Sequence, residues 1–460
     1  MFFFSSAEVS LSKRSAPFFL TTVLFGVSLA LRFWFSKHAV FTIDQQQIID
    51  QGMRFYREGV LSPVGAAVVY TGSALPGALQ SLLAGLCLTL SQGETWGLFF
   101  GVALLNTVAQ ALWLQILRPH FPRLSERGIL DALLYLMPWP LIFVSPWNPS
   151  FLPIFAVSAW WGLSRLNLGF WPGFAFALGI GGALQLHLSF VILAIGFCVS
   201  LFFYRNLLLT APIGSNEIPF GIKNTILFRI ASGIVAGSFL PLLTLLPWIR
   251  LQLTSASSPT GQHSPLAALL RNIVFVPENL SLIPRFLTRY WSFASPELGR
   301  FISPGGQGIL GFWPVSPLFW KMVGLFWFSV SVLTVTSLGY QWLCQVYASL
   351  KSTFVGEHER TRTQTPTPLA TEQPPLVALL FLGVWVPFWS AFSFLFSVKE
   401  PVAQSIWLLA PLAGLPLFAR WEQLRVRAKQ RFRFEIGFWF FGSLASVIHL
   451  SVNYLGWVPR

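Results

Sequence analysis

About eleven apolar runs divide this chain, and their centres are almost free of ionisable residues. Inside a bilayer, backbone N–H and C=O groups find no water, so each run must close its hydrogen bonds internally as a helix. Hydrophobic residues make up 54% of the chain and charged residues 10%, which leaves too little polar surface to coat a soluble globule. The fold expected is all-α, a polytopic membrane helical bundle of about 11 transmembrane helices. The runs lie near 17–35, 95–117, 129–145, 151–164, 168–186, 188–204, 230–248, 317–347, 376–396, 402–419 and 436–457.

The first run, from Pro17 to Leu31, follows Lys13 and Arg14. Arg32, Phe33, Trp34 and Lys37 come next where a secretory leader would carry small residues for cleavage, so this run is expected to stay as the first span. The formal charge of +14 does not imply nucleic acid, because the basic residues are scattered between apolar runs rather than gathered on one soluble domain. A cytoplasmic N-terminus places the dense cluster Arg420 to Arg433 and the compact loop Arg118 to Arg127 inside, as the positive-inside rule requires. Cys87, Cys198 and Cys344 show no C-x-x-C spacing, and the six histidines form no H-E-x-x-H, so neither a disulfide nor a structural metal is expected.

Three parts follow from this layout: residues 1–248, a membrane module with a first outer loop at 36–94; residues 249–316, a second outer loop; and residues 317–460, the C-terminal helices with an inner loop at 352–375. That inner loop is rich in Thr and Pro, a composition expected to stay flexible.

The chain holds three aspartates, and Asp44 and Asp50 both fall in the first outer loop. From Asp44 the sequence DQQQIIDQGMRFYREG sets Ile48, Ile49, Gly52, Met53 and Tyr56 on one helical stripe, which predicts an amphipathic juxtamembrane helix lying on the outer membrane surface. Asp44 is expected at its N-cap, and Asp50 has the spacing of a surface ion pair with Arg54. The two carboxylates lie about 240° apart around the helix and are no same-face pair. The following TGSALPGALQSLLAGLCLTLSQG is apolar, and is expected to be an interfacial or re-entrant segment because a full span there would reverse the loop Arg118 to Arg127. Asp131 is expected to answer the N-terminus of its own helix.

The order FTIDQQQ, GVLSPVG, LPGALQSLLAG, SPWNPSFLP, LQLHLSF and KEPVAQSIWLLAPLAGLPLFA resembles the GT-C superfamily of polyprenyl-phosphate-sugar-dependent membrane glycosyltransferases, which includes protein O-mannosyltransferases and aminoarabinose transferases. The likeness covers about residues 40–200 and 395–420. It implies an inverting sugar transfer at the outer face of a bacterial inner membrane, with Asp44 as the base that takes the acceptor proton. Relatives carry an acidic pair in the first loop where this chain has Asp44 and Gln45, and His-Tyr or Arg-Tyr where it has Gln404, Ser405, Ile406 and Trp407.

A departing polyprenyl phosphate needs cationic groups, and the planar fork of arginine suits phosphate oxygens. Candidates are Arg54, Arg57 and Arg250 together with Lys399, while Asn148, His187 and Gln404 could hold substrate through polar side chains. Each also has a plainer role: headgroup binding for the cations, turn architecture for Asn148 between two prolines, and a hydrogen bond between helices for His187. The partners expected are membrane lipid, the polyprenyl-phosphate sugar as donor substrate, and a glycan, lipid or protein acceptor. No cofactor is implied, and the sequence leaves a need for divalent metal open. Two alternatives stand beside the transferase: a lipid-linked glycan flippase or transporter, and a GT-C-like lipid-binding scaffold without activity.

Overall fold

The computed structural model describes residues 7–38, 43–68, 73–136, 146, 148–187, 190–191, 193–197, 220–256, 275–281 and 283, together with 340, 395, 415, 418, 421 and 422. Among them the helices are α1 (Ala7–His38), α2 (Ile43–Glu58), α3 (Leu79–Leu90), α4 (Thr95–Leu117), α5 (Pro122–Glu126), α6 (Ile129–Leu136), α7 (Leu152–Leu163), α8 (Phe170–Leu186) and α9 (Phe220–Ala256). One antiparallel hairpin, β1 (Val64–Val68) and β2 (Ser73–Pro76), joins α2 to α3. No strand was expected there; β-branched Val64 and Val68 favour extended backbone. The described residues are otherwise helical, in keeping with an all-α class.

Three stretches among the described residues are long and apolar enough to cross a membrane: Phe19–Lys37, Thr95–His120 and Leu227–Thr254. They fall on the runs at 17–35, 95–117 and 230–248, and they suggest a membrane protein. Over the run at 151–164 the helix is shorter than a full crossing needs. This helix, α7, has 12 residues, which rise about 18 Å against a hydrocarbon core of about 30 Å, so α7 does not cross alone. The runs at 317–347, 376–396, 402–419 and 436–457, and the loop at 352–375, lie outside the described residues apart from the few single positions given above.

Helix α1 carries its polarity inside out. Leu20, Val23, Val27, Leu31 and Trp34 are exposed, while the i, i+4 row Leu24, Ser28, Arg32 and Ser36 is buried. In water this arrangement would be perverse; in lipid it is expected, because polar side chains turn towards protein. Helix α9 exposes Leu227, Phe228, Val235, Phe239, Leu242 and Leu246, again as a lipid-facing surface would.

Glycines let the helices meet backbone to backbone. A Cβ on Gly233 or Gly237 of α9 would collide with the carbonyls of Phe170 and Phe174 on α8, and one on Gly162 or Gly179 would collide across α7 and α8. Pro241, inside α9, lends its carbonyl oxygen to Gln185 Nε2 of α8 at 2.6 Å, and the Thr244 hydroxyl donates to Gln185 Oε1 at 3.0 Å.

The remaining ties sort into two ends. At one end Arg118, just past α4, donates to Asp131 Oδ2 of α6 at 2.6 Å and to Thr21 Oγ1 of α1 at 2.7 Å, and Thr21 also donates to Asp131. The N–H groups of Arg123 and Leu124 at the start of α5 donate to the carboxylate of Glu422, and Phe121 meets Phe418 edge to face. At the opposite end of α4, ahead of α3, the N–H of Ala78 donates to Thr244 O at 2.7 Å; a separate bond joins the N–H of Val276 to Leu395 O at 2.7 Å. Residues 118–124 therefore meet 418–422, and the start of α3 meets α9 at Thr244. Asp131 does lie in the first turn of α6 as expected, and its partner Arg118 is an addition to that reading.

Two outcomes follow. The Gly237→Val variant should lose about 1 to 3 kcal/mol by overpacking against α8, while Val235→Leu on the exposed face should change little; thermal unfolding in lipid nanodiscs separates them. Asp131 is 3% exposed and Arg118 39%, so removing the arginine strands a buried charge whereas removing the acid leaves a cation that reaches water. Arg118→Gln should therefore cost about 3 kcal/mol or more and Asp131→Asn distinctly less, and equal losses would deny that asymmetry.

Candidate functional site

Helix α2 carries the acid that the sequence singled out. Ile43 is its first residue and Asp44 its second, two places past the N-cap position rather than at it, in a turn whose free N–H groups and dipole favour a carboxylate. Gln45, the next residue, is buried. The apolar stripe is also placed differently from expectation. Ile48, Ile49 and Gly52 are sealed by α3 rather than laid on the membrane surface; a Cβ on Gly52 would come within 2.9 Å of Ala84 Cβ and Leu88 Cδ1. Only Tyr56, at the far end of the stripe, is exposed.

The glutamine run that follows Asp44 fastens the hairpin. Gln51 Nε2 donates to the carbonyls of Val64 and Gly65, both at 3.3 Å, and Gln47 Nε2 reaches Gly65 O at 3.5 Å. Gln80 Nε2 of α3 donates to Gln51 Oε1 at 3.1 Å, and the Ser81 hydroxyl to Gln51 O at 3.3 Å. Within the segment expected to be interfacial, residues 73–93 hold strand β2 and the 12-residue helix α3, which is too short to span. Burial in α3 pushes the Cys87 thiol up to about 11, which leaves it an unreactive packing group at neutral pH.

The candidates separate once placed. Asp50 does not pair with Arg54: it accepts from Gln46 Nε2 at 2.7 Å, and Arg54 pairs instead with Glu58 one turn on, both side chains 58% exposed. Arg57 is exposed in the last turn of α2, where a cation suits the helix dipole. Arg250 is exposed on α9 within the stretch Leu227–Thr254. His187 ends α8, its N–H bonded to Ala183 O. Lys399 and Gln404 lie outside the described residues. Asp44, Arg54 and Arg57 share one helix; Asn148, His187 and Arg250 belong to other elements.

Asn148 opens a 3₁₀ turn, Asn148–Phe151, which leads into α7. Asn106 Nδ2 donates to Ser150 O at 2.8 Å, and Asn106 is the midpoint of Thr95–Leu117. The turn therefore lies level with the middle of α4, a helix long enough to cross a membrane. Irregular backbone at such a depth is tolerated only when protein covers it, and Ser150, Phe151 and Leu152 are all buried.

Helix α1 also holds a residue that the sequence marked only as a flank of the first span. Arg32 is 1% exposed, and its Nη1 donates to Thr107 Oγ1 at 3.2 Å. Its Nε and Nη2 have no hydrogen-bond partner, nor has the hydroxyl of Ser36 one turn further along the buried row. Ser28, one turn before, donates to Tyr135 O at 2.9 Å. The signal that could have found this row is the i, i+4 spacing of Ser28, Arg32 and Ser36 within an apolar run. Among the described residues no group of three His, Cys, Asp or Glu could hold a metal.

No family model matches the chain, and no curated protein or solved structure matches it.

The support of α2 by α3 is testable. A Cβ on Gly85 would enter the Phe55 ring, so Gly85→Val should speed hydrogen exchange across residues 43–58 while leaving α4 protected. Unchanged exchange in α2 would show that this contact does not hold the platform.

Proposed function

We propose that this chain is a multi-pass bacterial inner-membrane glycosyltransferase of the GT-C kind, with a cytoplasmic N-terminus and about 11 spans. It would take a sugar from a polyprenyl-phosphate donor and pass it to a glycan, lipid or protein acceptor at the outer face. The observation that carries the reading is the position of Asp44: a carboxylate in the first turn of a braced helix, directly after the first membrane-length helix. In the reaction the acceptor hydroxyl oxygen attacks the anomeric carbon while Asp44 takes its proton. The bond from that carbon to the phosphate oxygen breaks, the polyprenyl phosphate leaves with the electron pair, and Asp44 later returns the proton to water.

Release of polyprenyl phosphate from a panel of lipid-linked sugars, with acceptor extracts present, tests this reading. Asp44→Asn should lower release about a hundredfold or more, the usual contribution of a general base. Equal release by both proteins would remove Asp44 from the role.

Two observations favour a lipid-linked glycan flippase as the second reading: a buried arginine on a membrane-length helix, and an irregular turn level with the middle of α4. Proteoliposomes distinguish the two. A flippase moves a labelled lipid-linked sugar between leaflets without releasing polyprenyl phosphate, and a transferase releases it.

A further inference from the structure

The geometry points to an anion site inside the bundle, formed by Arg32 and Ser36 of α1, that takes the phosphate group of a lipid monophosphate. Nη1 of Arg32 is occupied by Thr107, which leaves Nε and Nη2 without partners. Those two nitrogens form the side-on edge of the guanidinium, which takes two oxygens of one oxyanion together. Ser36 lies at i+4 on the same buried row, and its hydroxyl also lacks a partner. Three donors thus wait along one face of α1. A carboxylate has two oxygens to meet them, whereas a phosphate monoester has three terminal ones.

Among the described residues no acidic side chain pairs with Arg32. The ion pairs among the described residues are Arg54 with Glu58, Arg118 with Asp131, and Arg123 with Glu422, and none involves Arg32. A buried guanidinium with an unpaired edge is costly to hold in a low-dielectric interior. Thr107 compensates little of this, because its own hydroxyl donates to Ala103 O at 2.7 Å and offers a neutral acceptor only. The exposed arginines of the sequence reading carry no such deficit, since Arg54 already has Glu58 and Arg57 faces outward.

The site rests on the geometry of α1. Its assignment as the seat of a donor's phosphate rests on the lipid-linked-sugar reading, and both the transferase and the flippase need such a seat. The phosphate could come from a polyprenyl monophosphate or from free inorganic phosphate.

The test uses the full chain in nanodiscs of neutral lipid, with binding and thermal unfolding measured for a short polyprenyl monophosphate, the matching neutral polyprenol and inorganic phosphate. Wild type should bind the monophosphate far better than the polyprenol and unfold at a higher temperature with it. Arg32→Gln should bind it at least about tenfold more weakly, and without ligand should be as stable as wild type or more so. Arg32→Lys, which keeps the charge but loses the fork, should also bind more weakly, as should Ser36→Ala by a smaller factor. Equal gains from monophosphate and inorganic phosphate would support the site and identify free phosphate as its occupant.

Two results overturn the proposal: affinity for phosphate unchanged in both Arg32→Lys and Ser36→Ala, or ligand-free Arg32→Gln less stable than wild type, which marks a structural arginine. Absence of phosphate binding in wild type does so too. Because the readout is binding, sugar transfer that fails while binding persists defeats the transferase and spares the site. Transfer that continues undiminished in Arg32→Gln defeats the site and spares the transferase.

Discussion

Helices that face lipid gain little by hiding apolar surface from one another, since the lipid tail is as apolar as the helix. Cohesion in this bundle therefore depends on close backbone approach and on polar ties. Between α8 and α9 the glycines at 173, 233 and 237 bring carbonyls and amides to distances that any side chain would forbid. At one end of the bundle, Thr21, Arg118 and Asp131 bind three helices through a single carboxylate oxygen. At the other, Gln185 and Thr244 exploit the kink position Pro241, and Ala78 fastens the α2–α3 platform to the same turn of α9. Removing the hydrophobic effect as glue makes each of these few contacts matter more.

The platform shows how a polar sequence can serve structure before chemistry. In DQQQIIDQ the glutamines look like a wet helix face, yet Gln47 and Gln51 hold the backbone carbonyls of β1, and Gln45 is buried. An amide satisfies a buried carbonyl without the desolvation cost of a charge. Fixing α2 on α3 and the hairpin in this way restrains the helix whose first turn bears Asp44.

Which features were legible in the sequence follows from the range of the forces involved. Helices over 17–35, 95–117 and 168–186 and the juxtamembrane helix after Asp44 are set by local periodicity and composition, and α1, α4, α8 and α2 lie there. The hairpin at 64–76 was missed because its alternation is only a few residues long and sits among small side chains. Asp50 was paired with Arg54 on spacing alone, but Gln46 and Glu58 compete at the same i, i+4 distance on either side. The depth of the Asn148 turn could not be read locally, because Asn106, which fixes it, lies 44 positions earlier. Asp131 showed its favourable place in the first turn of α6, while its pairing with Arg118 needed the fold.

Arg32 exposes a tension between stability and use. The buried row Ser28, Arg32 and Ser36 would be more stable as alanine or leucine, since Leu24 packs on the same face without any polar demand. A fold held mainly by backbone contacts can tolerate one such deficit, because the glycine-mediated approach of α8 and α9 does not pass through α1. The energy left unsatisfied at the side-on edge of Arg32 then becomes binding energy for any anion that reaches it, and the same edge that weakens the empty fold strengthens the occupied one. Ligand affinity and resting stability at this position are thus two measures of one unmet pair of hydrogen bonds.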